Sequence, residues 1–128
     1  MHSFCKEERL CSKKSIEKLL SEGKKIYYPT FTVKWMEVFG ENIPEIQLLT
    51  VVPKKKFKKS TNRNLIKRLI REAYRNNKQI LDVTLKEKNK KIALMLLYKG
   101  EIIETYKQTE EKIIIILQGI MKCINHTP

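Results

Sequence analysis

The sequence predicts an α+β fold, and three patterns carry that expectation. Residues 30–39 and 46–52 form two segments with the apolar–polar alternation of half-buried strands. A long stretch from Asn62 to about Asn77 repeats its apolar residues at the period of an amphipathic helix. Lys91 to Tyr98 (KIALMLLY) is nearly all apolar, as expected for a strand in the middle of a sheet with both faces covered. A helical segment near each end completes the order helix, strand, strand, helix, strand, helix. With 128 residues the chain has room for one core, so a single domain over 1–128 is expected.

Taken in order, SIEKLLSEG places Ile16, Leu19 and Leu20 on one face, with Ser15 able to cap that helix and Gly23 to stop it. In TFTVKWMEVF, Phe31, Val33 and Trp35 alternate with Thr32, Lys34 and Met36. Gly40, Asn42 and Pro44 then supply a turn before Ile46 to Val52, and the two strands are expected to pair as an antiparallel hairpin. Pro53 ends the second strand, and a lysine run leads into the long helix, which Ser60, Thr61 or Asn62 can cap. After Asn76-Asn77, the series Ile80, Leu81, Val83 and Leu85 continues that helix or restarts it. In the last segment four isoleucines, Ile113 to Ile116, favour strand by propensity. Helix is nonetheless expected, because Ile113, Ile116, Leu117, Ile120, Met121 and Ile124 fall at helical spacing and Thr105 with Gln108 forms a capping-box pattern.

Composition narrows the function. An apolar share of 41% is ordinary for a folded domain, so the net charge of +13 sits on the surface. A field of that sign draws in polyanions, and nucleic acid is the expected partner ahead of an acidic membrane surface. Three cysteines (Cys5, Cys11, Cys123) without CxxC or Cys/His spacing encode neither a disulfide framework nor a zinc site. The N-terminus has no apolar stretch of signal-peptide length, and no apolar run reaches a membrane span, so a cytoplasmic protein without membrane attachment is expected.

The charge is concentrated. Eleven basic residues and one acid, Glu72, lie between Lys54 and Lys78, which is +10 of the total +13. On a helical wheel Leu65, Ile66, Leu69, Ile70, Ala73 and Tyr74 cover one side, and Arg63, Asn64, Lys67, Arg68, Arg71 and Arg75 the other. Like-charge pairs at i, i+4 (Arg63/Lys67, Lys67/Arg71, Arg71/Arg75) each cost a few tenths of a kcal/mol, roughly, in an isolated helix. A solvated face normally carries compensating acids; their absence here points to a bound anion. Arginine can fork two donors onto a phosphate and stack on a base, and Asn64 can reach phosphate, sugar or base edge. No catalytic or metal-binding constellation is expected: His2 and His126 sit at the chain ends, and the Glu7-Glu8-Arg9 cluster is of a kind common on surfaces.

The run Lys54-Lys55 … Arg63-Asn64-Leu65-Ile66-Lys67-Arg68-Leu69-Ile70-Arg71-Glu72-Ala73-Tyr74-Arg75 resembles the signature helix of the bacterial ribonuclease P protein family. The resemblance extends to KEERL … IEKLLSEGK and covers about Phe4 to Ile124. It implies a two-layer α/β sandwich: a mostly antiparallel four-stranded sheet, about three helices and a left-handed βαβ crossover, as in some ribosomal proteins, against the usual right-handed rule. It also implies that the chain pairs with a large catalytic RNA whose bound magnesium ions (Mg2+) activate the water that cleaves the 5′ leader from precursor tRNA. No catalytic residue and no metal site would then lie on the protein, and no protein oligomer would be required. Arg63, Asn64, Lys67, Arg68 and Arg71 would contact the RNA subunit, with Lys54, Lys55 and Lys58 adding phosphate contacts. The single-stranded leader would lie between the first helix and the open sheet face, at Ile16, Leu20, Thr32, Lys34 and Met36.

Two features depart from the family pattern. The motif is commonly Arg-Asn-Arg, and Leu65 stands at its third position. Ile16 and Leu20 occupy cleft positions that are often aromatic and cannot stack on bases, which shifts weight to Lys34. The competing function is a structural rRNA-binding or ribosome-assembly protein. A DNA-binding module is disfavoured, because the basic helix follows a lysine loop and a strand and no second helix leads into it across a tight turn.

Overall fold

The computed structural model describes residues 13–126; His2, Cys5, Glu7, Glu8, Arg9, Cys11 and the KEERL segment lie outside them, as do the last two residues of the INHTP tail. The elements are α1 (Lys13–Glu22), β1 (Lys24–Tyr28), β2 (Phe31–Val38), β3 (Ile46–Val51), α2 (Ser60–Asn77), α3 (Gln79–Glu87), β4 (Lys91–Tyr98) and α4 (Tyr106–His126). The sheet runs β1-β2-β4-β3, with β1–β2 and β2–β4 antiparallel and β3–β4 parallel.

The apolar character of β4 dictates this arrangement. From Ile92 to Leu96 no residue is more than 4% exposed, so β4 needs a strand on each side and cover on both faces. It therefore lies between β2 and β3, and the expected β2–β3 hairpin does not form. Those two strands stand two strand positions apart, about 10 Å, a distance that residues 39–45 span with a turn through left-handed Asn42 (φ 62°).

The sheet has the four strands that the family resemblance implies, but no segment pattern located the fourth, β1. Its residues KKIYY alternate only weakly, because at the sheet edge Ile26 and Tyr28 are merely half-buried and the lysines are exposed. It pairs with β2 from Lys24↔Trp35 to Tyr28↔Phe31 around the Pro29-Thr30 turn.

The main core lies between one face of the sheet and α2, α3 and α4. Phe31, Val33 and Trp35 of β2, Leu48 of β3 and Leu94 of β4 meet Ile70, Tyr74, Leu81, Leu85, Ile113 and Leu117 there. On the opposite face α1 covers a smaller cluster of Leu19, Ala93 and Met95, flanked by Ile16 and Met36.

Several helix boundaries differ from expectation. Ser15 lies inside α1, whereas Gly23 follows its end as expected and donates its N–H to the Leu19 carbonyl (2.9 Å). Ser60, Thr61 and Asn62 all lie inside α2; its N-cap is Lys59, and no side chain caps it. There are four helices among the described residues because the chain breaks at Lys78. Asn77 Nδ2 donates to the Ala73 carbonyl (2.8 Å), and the backbone ladder restarts with Asp82 N–H on the Lys78 carbonyl (2.9 Å). The α4 capping box forms in both directions: Gln108 N–H donates to Thr105 Oγ1 (3.2 Å), and Thr105 N–H donates to Gln108 Oε1 (3.0 Å). Burial of Ile113, Ile116, Leu117, Ile120 and Ile124 overrides the strand propensity of the isoleucine run.

Candidate nucleic-acid interface

Helix α2 is held to the fold by its inner side, where Ile66, Ile70, Ala73 and Tyr74 are buried. The outer side exposes Asn64 and Arg68 to solvent, with Arg63, Lys67, Arg71 and Arg75 half-buried on the flanks. Leu65 does not join the apolar side as the wheel suggested: it is 37% exposed, at the rim of the basic face. The far end of the helix is tied to α4. Asn76 Nδ2 donates to the Tyr106 hydroxyl (2.8 Å), Asn77 Nδ2 donates to Glu110 Oε2 (3.0 Å), and the Tyr106 hydroxyl donates to the same carboxylate oxygen (2.9 Å). The two asparagines that read as a helix break therefore fix the orientation of the basic face.

The lysine lead-in is shaped by a residue that charge counting passed over. Phe57 is 7% exposed and stacks on Tyr98 (centroids 6.1 Å apart), so one aromatic plug pins a loop whose Lys54, Lys55 and Lys58 are exposed. A buried aromatic inside a run of lysines was the available signal. Tyr98 is itself locked: its hydroxyl donates to the Ile102 carbonyl (2.6 Å), and burial, reinforced by Glu104, pushes its proton affinity well up. Arg63 Nη1 donates to the carbonyls of Phe57 (2.7 Å) and Lys58 (2.8 Å), clamping the loop against the first turns of α2. Arg63 thus positions the lead-in with one guanidinium nitrogen and keeps its other donors for an anion.

Electrostatically the loop and helix act together. The first turn of α2 contains no acid and no side-chain cap. The partial positive charge of this helix end, of order half an elementary charge, therefore adds to that of the lead-in lysines, although the N–H groups of Asn62 and Arg63 already donate to the Lys59 carbonyl (3.1 and 3.2 Å). Guanidinium and ammonium groups thus line the outer side of α2 and its lead-in, a donor set suited to phosphates.

The five residues expected to line a cleft by α1 are only partly brought together. Ile16 and Met36 pack in the small cluster around Leu19, Leu20 is 44% exposed, and Thr32 is 4% exposed. The ammonium of Lys34 donates to the Leu20 carbonyl, one of the unpaired carbonyls at the end of α1. A groove of about 520 Å³ opens beside them, between Ser15, Lys18 and Glu22 of α1 and Met36, Glu37, Val38, Phe39, Ile43, Gln47 and Ala93, so its apolar floor is flanked by two carboxylates, Glu22 and Glu37. Of the five residues only Met36 lines it, and Phe39, 84% exposed, stands at its wall.

Burial raises the proton affinity of Tyr28, Tyr98 and Tyr106, and the hydrogen bond to the Asp82 carboxylate raises that of Lys86, each away from the neutral range that general acid–base chemistry uses. Among the described residues no three His, Cys, Asp or Glu side chains gather as a metal site would need. No described helix is long and apolar enough to cross a membrane.

Residues 4–118 match the family model described as Ribonuclease P. The ribonuclease P protein component of Porphyromonas gingivalis is 35% identical over 83 residues, 65% of this chain and 61% of the relative. That of Thermotoga maritima is 35% identical over 79 residues, 62% of this chain and 64% of the relative. The chain thus spans a little under two thirds of these relatives; the component from Thermotoga petrophila matches over 92% of this chain and 96% of its own length, at 27% identity. Among solved structures, the Staphylococcus aureus RNase P protein superposes with a TM-score of 0.70 at 18% identity, over 88% of this chain and 94% of that one. The Thermotoga maritima protein gives 0.69 at 22% identity, over 87% and 96%. With the family model matched over most of its length and the same architecture in these structures, this chain belongs to the ribonuclease P protein family.

Proposed function

We propose that this chain is the protein subunit of ribonuclease P, a single RNA-binding domain that joins a catalytic RNA and promotes removal of the 5′ leader from precursor tRNA. The observation that carries the reading is the outer face of α2 with its clamped lysine loop. In this reading Arg63, Asn64, Lys67, Arg68 and Arg71 contact the RNA subunit, and Lys54, Lys55 and Lys58 add phosphate contacts. The leader lies along α1, near Ile16, Leu20, Thr32, Lys34 and Met36, where the adjacent groove offers an apolar floor and Phe39 an exposed ring.

The phosphodiester is hydrolysed on the RNA subunit, which holds the magnesium ions, and the protein supplies no reacting group. Its work is to neutralise phosphates and hold the substrate, in the cytoplasm, without a membrane and without a second protein copy.

The alternative is a structural rRNA-binding or ribosome-assembly protein, which the same face of α2 would suit. Sequencing the RNA that co-purifies with the chain separates the two: the catalytic RNA and tRNA precursors are expected, and rRNA alone would favour the alternative. Binding should also weaken steeply with salt. With about six phosphates held, affinity falls roughly 10³-fold between 50 and 200 mM salt. A flat profile in a filter-binding titration would contradict a phosphate-dominated interface.

A further inference from the structure

The edge strand β1, which no local pattern marked, places an aromatic ring where the basic surface turns onto the open face of the sheet. Tyr27 is 67% exposed, whereas its neighbours Ile26 and Tyr28 are half-buried. In the ladder it stands opposite Thr32, on the face that α1 partly covers. The ammonium groups of Lys25 and Lys99 each lie 5.3 Å from its ring centroid.

This patch is continuous with the lysine lead-in. Lys56 Nζ donates to the Lys99 carbonyl (2.7 Å), so the loop that precedes α2 is tied to the residue whose own ammonium sits on the Tyr27 ring.

We propose that Tyr27, with Lys25 and Lys99 beside it, is a stacking station for an unpaired nucleotide of an RNA strand that the lead-in loop holds. The proposal rests on the RNA-binding reading above and adds a residue to it. An exposed tyrosine flanked by cations offers what a single-stranded nucleotide requires: a flat apolar face for the base and ammonium groups for the phosphates on either side. Both lysines are exposed or half-buried, so each can exchange the ring for a phosphate as a base takes its place. Neither Ile16 nor Leu20 can stack on a base, and Tyr27 supplies an aromatic surface on the same side of the sheet.

The competing role for Tyr27 is structural, as a cover over Thr32, which is 4% exposed. A leucine would still cover Thr32 but would not stack, and this separates the two roles. The full-length chain is titrated against a fluorescently labelled, unstructured all-pyrimidine RNA oligonucleotide, followed by anisotropy. Tyr27→Leu is expected to weaken binding roughly tenfold, and Tyr27→Phe to stay within about twofold of wild type. In Tyr27→Trp the added indole emission should be quenched by the same RNA, against the constant background of buried Trp35. Unchanged affinity in Tyr27→Leu together with unquenched Tyr27→Trp would overturn the proposal, while loss of binding in Arg68→Ala would leave the RNA-binding reading standing. If the wild-type chain binds no RNA, both fall.

Discussion

The double replacement Lys67→Glu with Arg68→Glu is expected to lower affinity for the catalytic RNA about a hundredfold or more while leaving the fold as stable as before. If both side chains meet phosphates as proposed, each position loses a contact and gains a repulsion, and the salt slope should flatten by roughly 0.7 to 0.9 for each contact removed. Stability should not follow affinity, because Arg68 is exposed and Lys67 half-buried on the outer face. Surface changes of this kind stay within about 0.5 kcal/mol. A glutamate at position 67 stands one turn from both Arg63 and Arg71 and converts two repulsive i, i+4 pairs into attractive ones, while a glutamate at position 68 converts the attractive Arg68/Glu72 pair into a repulsive one, so the helix terms largely offset. Urea denaturation and RNA titration of the same preparation measure the two quantities. A chain that unfolded, or one that bound as before, would show that the outer face has been assigned to the wrong role.

The reverse combination is expected at Phe57, where stability and binding fall together. Phe57 is 7% exposed, and its ring stacks on Tyr98, which is tilted against Phe31 at 5.3 Å. Truncating a buried phenylalanine costs about 3 to 5 kcal/mol. The lower end applies here, because the site lies at the margin of the core and can partly collapse. The lysine loop then loses its anchor, and the Arg63 clamp on the Phe57 and Lys58 carbonyls loses its fixed partner. Phe57→Ala should therefore weaken RNA binding even at temperatures where the chain remains folded, although no charge is removed. Phe57→Leu, which refills most of the volume, should restore the larger part of both losses. If the alanine variant melted earlier but bound RNA unchanged when folded, the loop would have no positioning role.

The basic helix was legible in the sequence because its two periodicities agree: apolar residues at helical spacing bury Ile66, Ile70, Ala73 and Tyr74, and the charges fall opposite. The central position of β4 was legible for a similar reason, since only a strand with two neighbours and two covered faces needs so few polar residues. Pairing was not legible. Alternation gives each strand a face but no partner, and β2 and β3, adjacent in sequence, are separated in the sheet by a strand that comes about forty residues later. Strand β1 escaped because an exposed edge with three polar or exposed positions in five carries little pattern.

At the interface, charge counting found the lysines but not what holds them: Phe57, the Arg63 clamp and the Lys56–Lys99 bond are all tertiary contacts. The same limit applied by α1. Lys34 was expected to face the leader, yet one donor of its ammonium goes to the Leu20 carbonyl, a contact across fourteen residues that no local spacing encodes.

The most direct test of the account mixes the purified chain with the catalytic RNA of its own host and a precursor tRNA at low magnesium and physiological salt. Cleavage of the 5′ leader should be slow with RNA alone and negligible with protein alone, rise well above both in the mixture, and fall back with the Lys67→Glu, Arg68→Glu variant. A mixture no faster than the RNA by itself would contradict the central claim.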